Sequence, residues 1–193
     1  MTETPVSLLE RLTNRNDTEA WQRFVALYTP FIRFWLRRDS KLCEDADDIV
    51  QEVLASACRD LPGFQRQRPG SFRAWLRTIT FHRIQAHCKL RRTDPLAQPD
   101  RQSGDRLAEL AEPLSLLSRQ WDQEHDVYVA HRLLEQVASD FELTTMQAFE
   151  QVALRGRKSA EVAAELSLSR NAVLLAKSRV LQRLRELGKG LID

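Results

Sequence analysis

Apolar residues recur every three or four positions along most of the chain, and strict alternation of apolar and polar residues never lasts long. This periodicity predicts an all-α fold. The clearest amphipathic helix covers residues 71–92, which begin with a serine suited to cap a helix and end in a basic cluster. At about 100° per residue, its apolar side carries Phe72, Trp75, Leu76, Ile79, Ala86 and Leu90. Its opposite side carries Arg73, Arg77, Arg91 and Arg92, with Phe81 and Ile84 among them.

The same pattern predicts further helices on both sides of this segment. They cover residues 6–13, 18–38 with an interruption at Pro30, 45–61, 119–138, 144–155, 159–166 and 169–187. The predicted N-caps are Asp17 or Thr18, Asp45, a capping box of Thr144 and Gln147, Ser159 and Ser169. Gly156 is a plausible stop for the helix before it. The last two helices are joined by a tight turn over residues 167–169, which is a helix-turn-helix pattern.

Residues 93–118 differ in composition from the rest, with several prolines and many Asp, Gln and Ser residues. We interpret them as a linker that contains a short helical piece at residues 105–111. The linker separates two small helical domains, residues 1–92 and residues 119–193. The helix that opens the second domain is predicted to face inward with Trp121, Val127, Tyr128, Leu133, Leu134 and Val137.

The overall net charge of +2 conceals an uneven distribution. Residues 1–50 and 101–150 carry net charges of −2 and −6, while residues 51–100 and 151–193 each carry +5. Between Asp60 and Asp94 there are eight basic residues and no acidic one. Two basic blocks around an acidic spacer suggest two places where one polyanion could be held. The basic side of residues 71–92 is therefore either a solvated face or a nucleic-acid surface.

The helix from Asp45 has a polar face formed by Asp48, Gln51 and Glu52. This face could be solvated, could dock a basic partner, or could bind a metal through Asp48 and Glu52, although no His accompanies them. An enzyme is disfavoured, because His82 and His87 lie about 140° apart on a helix and do not converge. The sequence also lacks a phosphate-binding loop, a nucleophile motif and zinc spacing. We therefore expect no catalytic residue, metal or cofactor.

The three cysteines, Cys43, Cys58 and Cys88, are widely spaced and fit reduced thiols in a cytosolic protein. The sequence has no apolar run near 18 residues and no signal peptide at its start. We expect a cytoplasmic protein without membrane insertion.

In the helix-turn-helix, Asn171, Leu175, Ser178, Arg179 and Gln182 are expected to project outward, where they could reach base edges in a major groove.

Three segments in order resemble bacterial sigma-70-type factors. They are residues 45–57 (DADDIVQEVLASA), 72–84 (FRAWLRTITFHRI) and 159–186 (SAEVAAELSLSRNAVLLAKSRVLQRLRE). The two-domain layout is similar to the extracytoplasmic-function (ECF) group, with residues 5–92 as region 2 and 119–188 as region 4. The resemblance implies a factor that binds core RNA polymerase, directs it to promoters through their −35 and −10 elements and promotes DNA melting. It also implies restraint by an anti-sigma factor or another device.

The resemblance further implies roles for individual residues. Docking on the β′ clamp helices of polymerase falls to Asp45, Asp48, Gln51 and Glu52, and the β flap is a second contact of the family. The −10 element falls to Phe64, Arg66, Arg68, Arg73, Arg77, Phe81, His82, Arg91 and Arg92. The −35 element falls to Arg170, Asn171, Leu175, Ser178, Arg179, Gln182 and Arg183.

The chain departs from the family pattern in three places. Ser167 occupies a turn position that is usually Gly, Leu174-Leu175-Ala176 replaces a basic-Ser-Arg run, and His82 stands where many relatives have Asn. The alternative function is a stand-alone helix-turn-helix regulator that does not enter polymerase. Arg83 is unexpected on the apolar side of its helix, so it either pairs with an acid of another helix or the helix bends near Thr80.

Overall fold

A computed structural model describes residues 7–40, 42–65, 68, 70–93, 110, 112 and 114–192, with the backbone alone for residues 91–93. The elements are α1 (Leu8–Leu12), α2 (Thr18–Leu36), α3 (Ala46–Asp60), a 3₁₀ turn (Leu61–Gly63), α4 (Ser71–Thr93), α5 (Leu116–Ala138), α6 (Leu143–Phe149) with a π-helical continuation (Glu150–Leu154), α7 (Ser159–Glu165) and α8 (Arg170–Gly188). The all-α prediction is confirmed. The short helix predicted at residues 105–111 falls on positions of which only Leu110 is described.

None of the helices in the described ranges combines the length and the apolar character that crossing a membrane requires.

The chain forms two compact units, a first unit centred on residues 8–129 and a second unit centred on residues 130–189. The division falls inside α5, so the beginning of this helix packs in the first unit and its end in the second. The functional boundaries at residues 92 and 119, with a linker between them, stay predictions.

The core of the first unit is formed by α2, α3 and α4. α3 buries the side away from its predicted polar face, with Ile49, Val50, Val53, Leu54 and Ala57, and Leu61 of the following turn is buried as well. Rings from α2 and α4 contact one another, with the centroid of Phe72 lying 5.7 Å from Tyr28 and 6.4 Å from Phe24. The predicted interruption of α2 at Pro30 is wrong, since the helix continues through it. Pro30 itself is exposed, and the buried Tyr28, Phe31 and Ile32 around it hold the helix to the core.

Asp17 caps α2, as predicted, and also joins α2 to α1. Its carboxylate accepts a hydrogen bond from the backbone N–H of Ala20 at 3.0 Å and two from the Arg11 guanidinium at 2.8 and 2.9 Å. The hydrogen bonds from Arg11 and then from Ala20 lower the pKa of Asp17 to about 2. The ionised carboxylate therefore stabilises the fold above the unfolded-state pKa of about 4, and that stabilisation is lost as the pH falls toward 2.

We expect Asp17→Asn to flatten the loss of stability between about pH 4 and pH 2. Asparagine can still cap the helix, so the substitution removes the charge and keeps the hydrogen bond to Ala20. The measurement is the thermal midpoint of tryptophan fluorescence at pH values across this window. Asp60→Asn serves as control, because Asp60 is exposed and its ion pair within the described residues is a 3.7 Å contact with Arg59. If the thermal midpoint falls between pH 4 and pH 2 as steeply in Asp17→Asn as in the wild type, the assignment is contradicted.

The second unit packs α6, α7 and α8 around two apolar clusters. One contains Ala148, Val162, Ala163, Val173 and Ala176, with Leu166 and Leu168 packed against it. The other contains Val137, Met146, Phe149 and Val180. These clusters confirm the predicted packing of the helix-turn-helix pair.

The helix ends of the second unit differ in part from the predicted caps. Ser169 caps α8 by accepting a hydrogen bond from the N–H of Ala172 at 3.0 Å, as predicted. The Thr144 capping box is wrong, because Thr144 lies inside α6 and the N-cap is Glu142. Ser159 is the first residue of α7 and not its cap, since the chain is still extended at Lys158. In both cases the helix begins one or two residues earlier than its polar residues indicated.

Candidate functional site

A groove of about 990 Å³ lies between the loop that follows α3 and the first turns of α4. Its walls include Phe64, Arg68, Trp75 and Thr78, together with Arg73, Arg77 and one acidic residue of α5, Asp122. The loop is held to α4 by aromatic packing, because the ring of Phe64 lies 5.2 Å from Trp75 and 5.8 Å from Phe72. Cations and aromatic rings in one groove suit a strand of nucleic acid, whose phosphates need cations and whose bases stack.

The predicted −10 residues do not all face this groove. Arg68 and His82 are exposed, whereas Arg73 is half-buried. Phe81 and Arg77 are buried, and Arg77 is only 4 % exposed. Arg66 and the side chains of Arg91 and Arg92 lie outside the described residues.

The helical wheel failed for α4 because this helix is covered on two sides. The α2–α3 pair covers one side, and the beginning of α5 covers the side of Arg73 and Arg77. Ile84, assigned to the basic side, is buried as well. Leu90, assigned to the apolar side, is 68 % exposed, because His87 already lies beside Asp45 at the very start of α3 and Leu90 projects beyond it.

Two acidic residues of α5 form ion pairs with the guanidinium groups of Arg73 and Arg77 on α4. Arg73 donates to Asp126 at 2.7 Å, and its Nε lies 3.7 Å from Asp122. Arg77 forms an ion pair with Asp122 and donates to the backbone carbonyls of Leu110 at 3.1 Å and Ser118 at 3.3 Å. Sequence reasoning missed these acids, and the available signal was the net charge of −6 in residues 101–150.

The two explanations for Arg83 differ in outcome: no acid that pairs with Arg83 is found among the described residues, and a bend near Thr80 stays a prediction. The helix is continuous through Thr80, and within the described part of the chain Arg83 has no ion pair and its buried Nε has no hydrogen-bond partner.

The polar face of α3 has the predicted exposure. Asp48, Gln51 and Glu52 are exposed, and within the described ranges neither acid forms an ion pair. The neighbouring Asp47 is different, because it pairs with Arg33. Asp45 is the N-cap residue, but its carboxylate makes no capping bond and lies 3.1 Å from His87 Nε2. Among the described residues, the acidic groups of this face without an ion pair are thus those of Asp48 and Glu52.

The exposed face of α8 carries most of the predicted −35 residues. Those exposed are Arg170, Asn171, Leu175, Ser178, Arg179 and Gln182. Arg183 is half-buried and is engaged by Asp140 at 2.8 Å and Glu186 at 3.7 Å. Leu175 is 47 % exposed, while Val173 and Ala176 of the same helix are buried.

The turn before α8 keeps a left-handed residue without glycine. Ser167 has φ of +55°. The N–H of Leu168 donates to Ala163 O at 2.9 Å and that of Ser167 to Ala164 O at 3.4 Å, the two hydrogen bonds of a Schellman motif. Leu168 also packs against the cluster of α7 and α8, so the motif and its apolar contact offset the cost of the left-handed serine.

The comparisons with known proteins agree with this geometry. The family model of sigma-70 region 2 matches residues 24–93, which run from α2 to the end of α4. No curated protein matches the chain. The matched range contains the exposed face of α3, the loop and the basic side of α4, so each feature lies in a segment with the family's pattern. Residues 24–93 therefore form a sigma-70 region 2.

Proposed function

We propose that the chain is an ECF-type sigma factor that binds core RNA polymerase through α3, opens the −10 element with the loop and α4, and reads the −35 element with α8. The family supplies the general role, promoter recognition with RNA polymerase. The β′ clamp helices are the proposed partner of α3, and the β flap is the proposed partner of the second unit. An anti-sigma factor is expected from the family resemblance alone. Because polymerase works on the chromosome, we place the protein in the cytoplasm.

The observation that carries this proposal is the exposed acidic face of α3. Asp48 and Glu52 are four positions apart, so they lie about 6 Å apart along the axis on one side of the helix. Neither carboxylate has an ion-pair partner within the described residues that docking would have to displace. The apolar residues of α3 are already used in the core, so this face offers charge and hydrogen bonds. Such a surface fits a basic partner and gives orientation more than bulk affinity.

We expect Glu52→Lys to weaken binding to purified core polymerase at least tenfold, with a larger effect for Asp48→Lys/Glu52→Lys, because like charges at an interface cost several kcal/mol. The matched control is Asp60→Lys, which makes the same charge change at an exposed position about 12 Å further along α3. Anisotropy of labelled protein titrated with core polymerase gives the dissociation constants. Equal binding of Glu52→Lys and Asp60→Lys removes the support for α3 as the docking surface and favours the stand-alone regulator.

The second part of the proposal concerns α8. Asn171, Leu175, Ser178 and Gln182 fall within about 60° of one another on the helix, so they form one line. An amide can read adenine, and an exposed leucine can contact the methyl group of thymine. Leu175 lies in this line, flanked by Arg170 and Arg179, which can reach phosphates. We therefore propose an A·T-containing −35 element.

Run-off transcription with core polymerase and genomic DNA identifies the promoters and so permits a direct test. We expect that replacing the −35 thymines by deoxyuridine weakens wild-type binding about fourfold, the value of one buried methyl-sized group at about 0.8 kcal/mol. The Leu175→Ala variant should bind both DNAs alike, because its side chain no longer reaches the methyl group. Gln123→Ala, an exposed substitution on α5, should behave as wild type. Discrimination that persists in Leu175→Ala assigns the methyl contact to another residue.

A further inference from the structure

The beginning of α5 is packed firmly onto the first unit. Trp121 and His125 are fully buried. The Trp121 ring lies 4.8 Å from Phe31 and 5.0 Å from Trp35, and the imidazole of His125 stacks on Tyr28 at 5.7 Å. All of these contacts are made with residues of α2. These aromatic contacts hold residues 116–129, here called the acidic segment, against the apolar surface of α2.

Polar contacts fix the orientation of the acidic segment on α2. Tyr128 donates from its hydroxyl to Leu27 O at 2.8 Å, and the Tyr28 hydroxyl lies 3.2 Å from His125 Nε2. The other ring nitrogen of His125 lies 3.0 Å from Asp126. These contacts direct the Asp126 carboxylate toward α4, where it accepts a hydrogen bond from Arg73.

The chemistry of this contact is that of phosphate binding. A guanidinium binds carboxylates and phosphates through the same charge-assisted hydrogen bonds. Residues 61–93 contain no acid that could neutralise Arg73 and Arg77 locally, so both carboxylates come from more than 40 residues away. Asp122 also lies in the wall of the groove that contains Phe64, Arg68 and Trp75. An oxyanion of the protein thus occupies the place in which the groove would hold a phosphate.

We propose that the acidic segment is an autoinhibitory stand-in for the DNA backbone, which occupies Arg73 and Arg77 in the free protein and must leave them before they bind phosphates. The inference rests on the proposed function in one respect, that Arg73 and Arg77 contact DNA. Its consequence is that the free chain binds single-stranded DNA weakly and with a shallow salt dependence. Displacement of the acidic segment restores two cations to the groove.

The first test measures binding of the full chain to a fluorescein-labelled 20-mer of deoxythymidine, over a series of salt concentrations. Asp122→Asn/Asp126→Asn should bind at least tenfold tighter than wild type at low salt. The slope of log K against log salt should steepen by about 0.7 for each phosphate gained on a single strand. Glu124→Gln/Glu135→Gln removes the same two charges from α5 but frees Arg38 and Arg132 instead, and it should bind within about twofold of wild type. If both double variants gain the same affinity for the oligonucleotide, the effect is one of net charge alone and the proposal is overturned.

The second test uses the unaltered protein, so it stands even where the asparagine variant folds poorly. Hydrogen exchange is followed with and without saturating oligonucleotide. Peptides covering residues 116–129 should exchange faster when DNA is bound, while those covering α3 should not change. Full protection of residues 116–129 in the DNA-bound protein overturns the proposal.

Arg73→Gln separates failure of this inference from failure of the proposed −10 surface. If Arg73→Gln weakens oligonucleotide binding while Asp122→Asn/Asp126→Asn gains nothing, the −10 surface stands and the autoinhibition is wrong. If Arg73→Gln leaves the binding of the asparagine variant unchanged, Arg73 is not a DNA contact and the proposed surface itself is wrong. Loss of the whole gain on adding Arg73→Gln supports both.

Discussion

Replacing Trp121 by alanine is expected to lower the free energy of unfolding of the first unit by about 3–5 kcal/mol. The side chain is fully buried, and its ring packs on Phe31 and Trp35, so truncation loses apolar burial and leaves a cavity between α5 and α2. Urea unfolding followed by tryptophan fluorescence measures the effect. The other three tryptophans, Trp21, Trp35 and Trp75, lie in the first unit and so report on it alone.

Two companion variants make this result specific. Val127→Ala on the same helix should cost less than about 0.5 kcal/mol, because Val127 is 65 % exposed. Trp121→Phe should cost less than Trp121→Ala, because it keeps a ring and removes a buried indole N–H that has no acceptor among the described residues. Similar costs for Val127→Ala and Trp121→Ala indicate that the beginning of α5 does not contribute to the stability of the first unit in solution.

The pair of Trp121 and Val127 also shows where sequence reasoning succeeds and where it stops. Both residues were predicted to face inward, and only Trp121 does. They are six positions apart, about 600° on the wheel, which leaves them about 120° apart around the helix. Residues of α5 before Ala130 pack in the first unit and those after it in the second, so one stripe could not describe the whole helix. The helix itself was predictable, because its length and periodicity are local properties.

The interfaces follow the same rule. The exposed residues of α3 and most of those of α8 lie as predicted, because each helix buries one continuous stripe and its polar residues occupy the rest. Arg77 could not be placed in this way, since its partner Asp122 lies 45 positions further along the chain. Periodicity states which side of a helix is apolar, but it does not identify the distant element that covers the polar side. The sequence signals such a distant partner through a block of opposite charge, here the net charge of −6 in residues 101–150.

Removing the Asp122 carboxylate is expected to destabilise the first unit by about 3 kcal/mol, near the lower end of the cost of breaking a buried ion pair. Arg77 is almost fully buried, and a guanidinium keeps its charge in proteins, so Asp122→Ala leaves it, among the described residues, with the backbone carbonyls of Leu110 and Ser118. The cost is not larger because Asp122 itself is partly exposed, and water can approach from the groove. The measurement is again urea unfolding by tryptophan fluorescence.

Asp122→Asn and Glu124→Ala determine the cause of this loss. Asparagine keeps an oxygen that accepts from Arg77, so it should cost clearly less than alanine. Glu124 pairs with Arg38, which is exposed, and Glu124→Ala should cost about 1 kcal/mol or less. If Asp122→Ala proves as mild as Glu124→Ala, then Arg77 is already reached by water in the free protein. Its guanidinium would then be available to phosphates without displacement of the acidic segment, and the basic side of α4 would bind DNA in the arrangement that the sequence alone predicted.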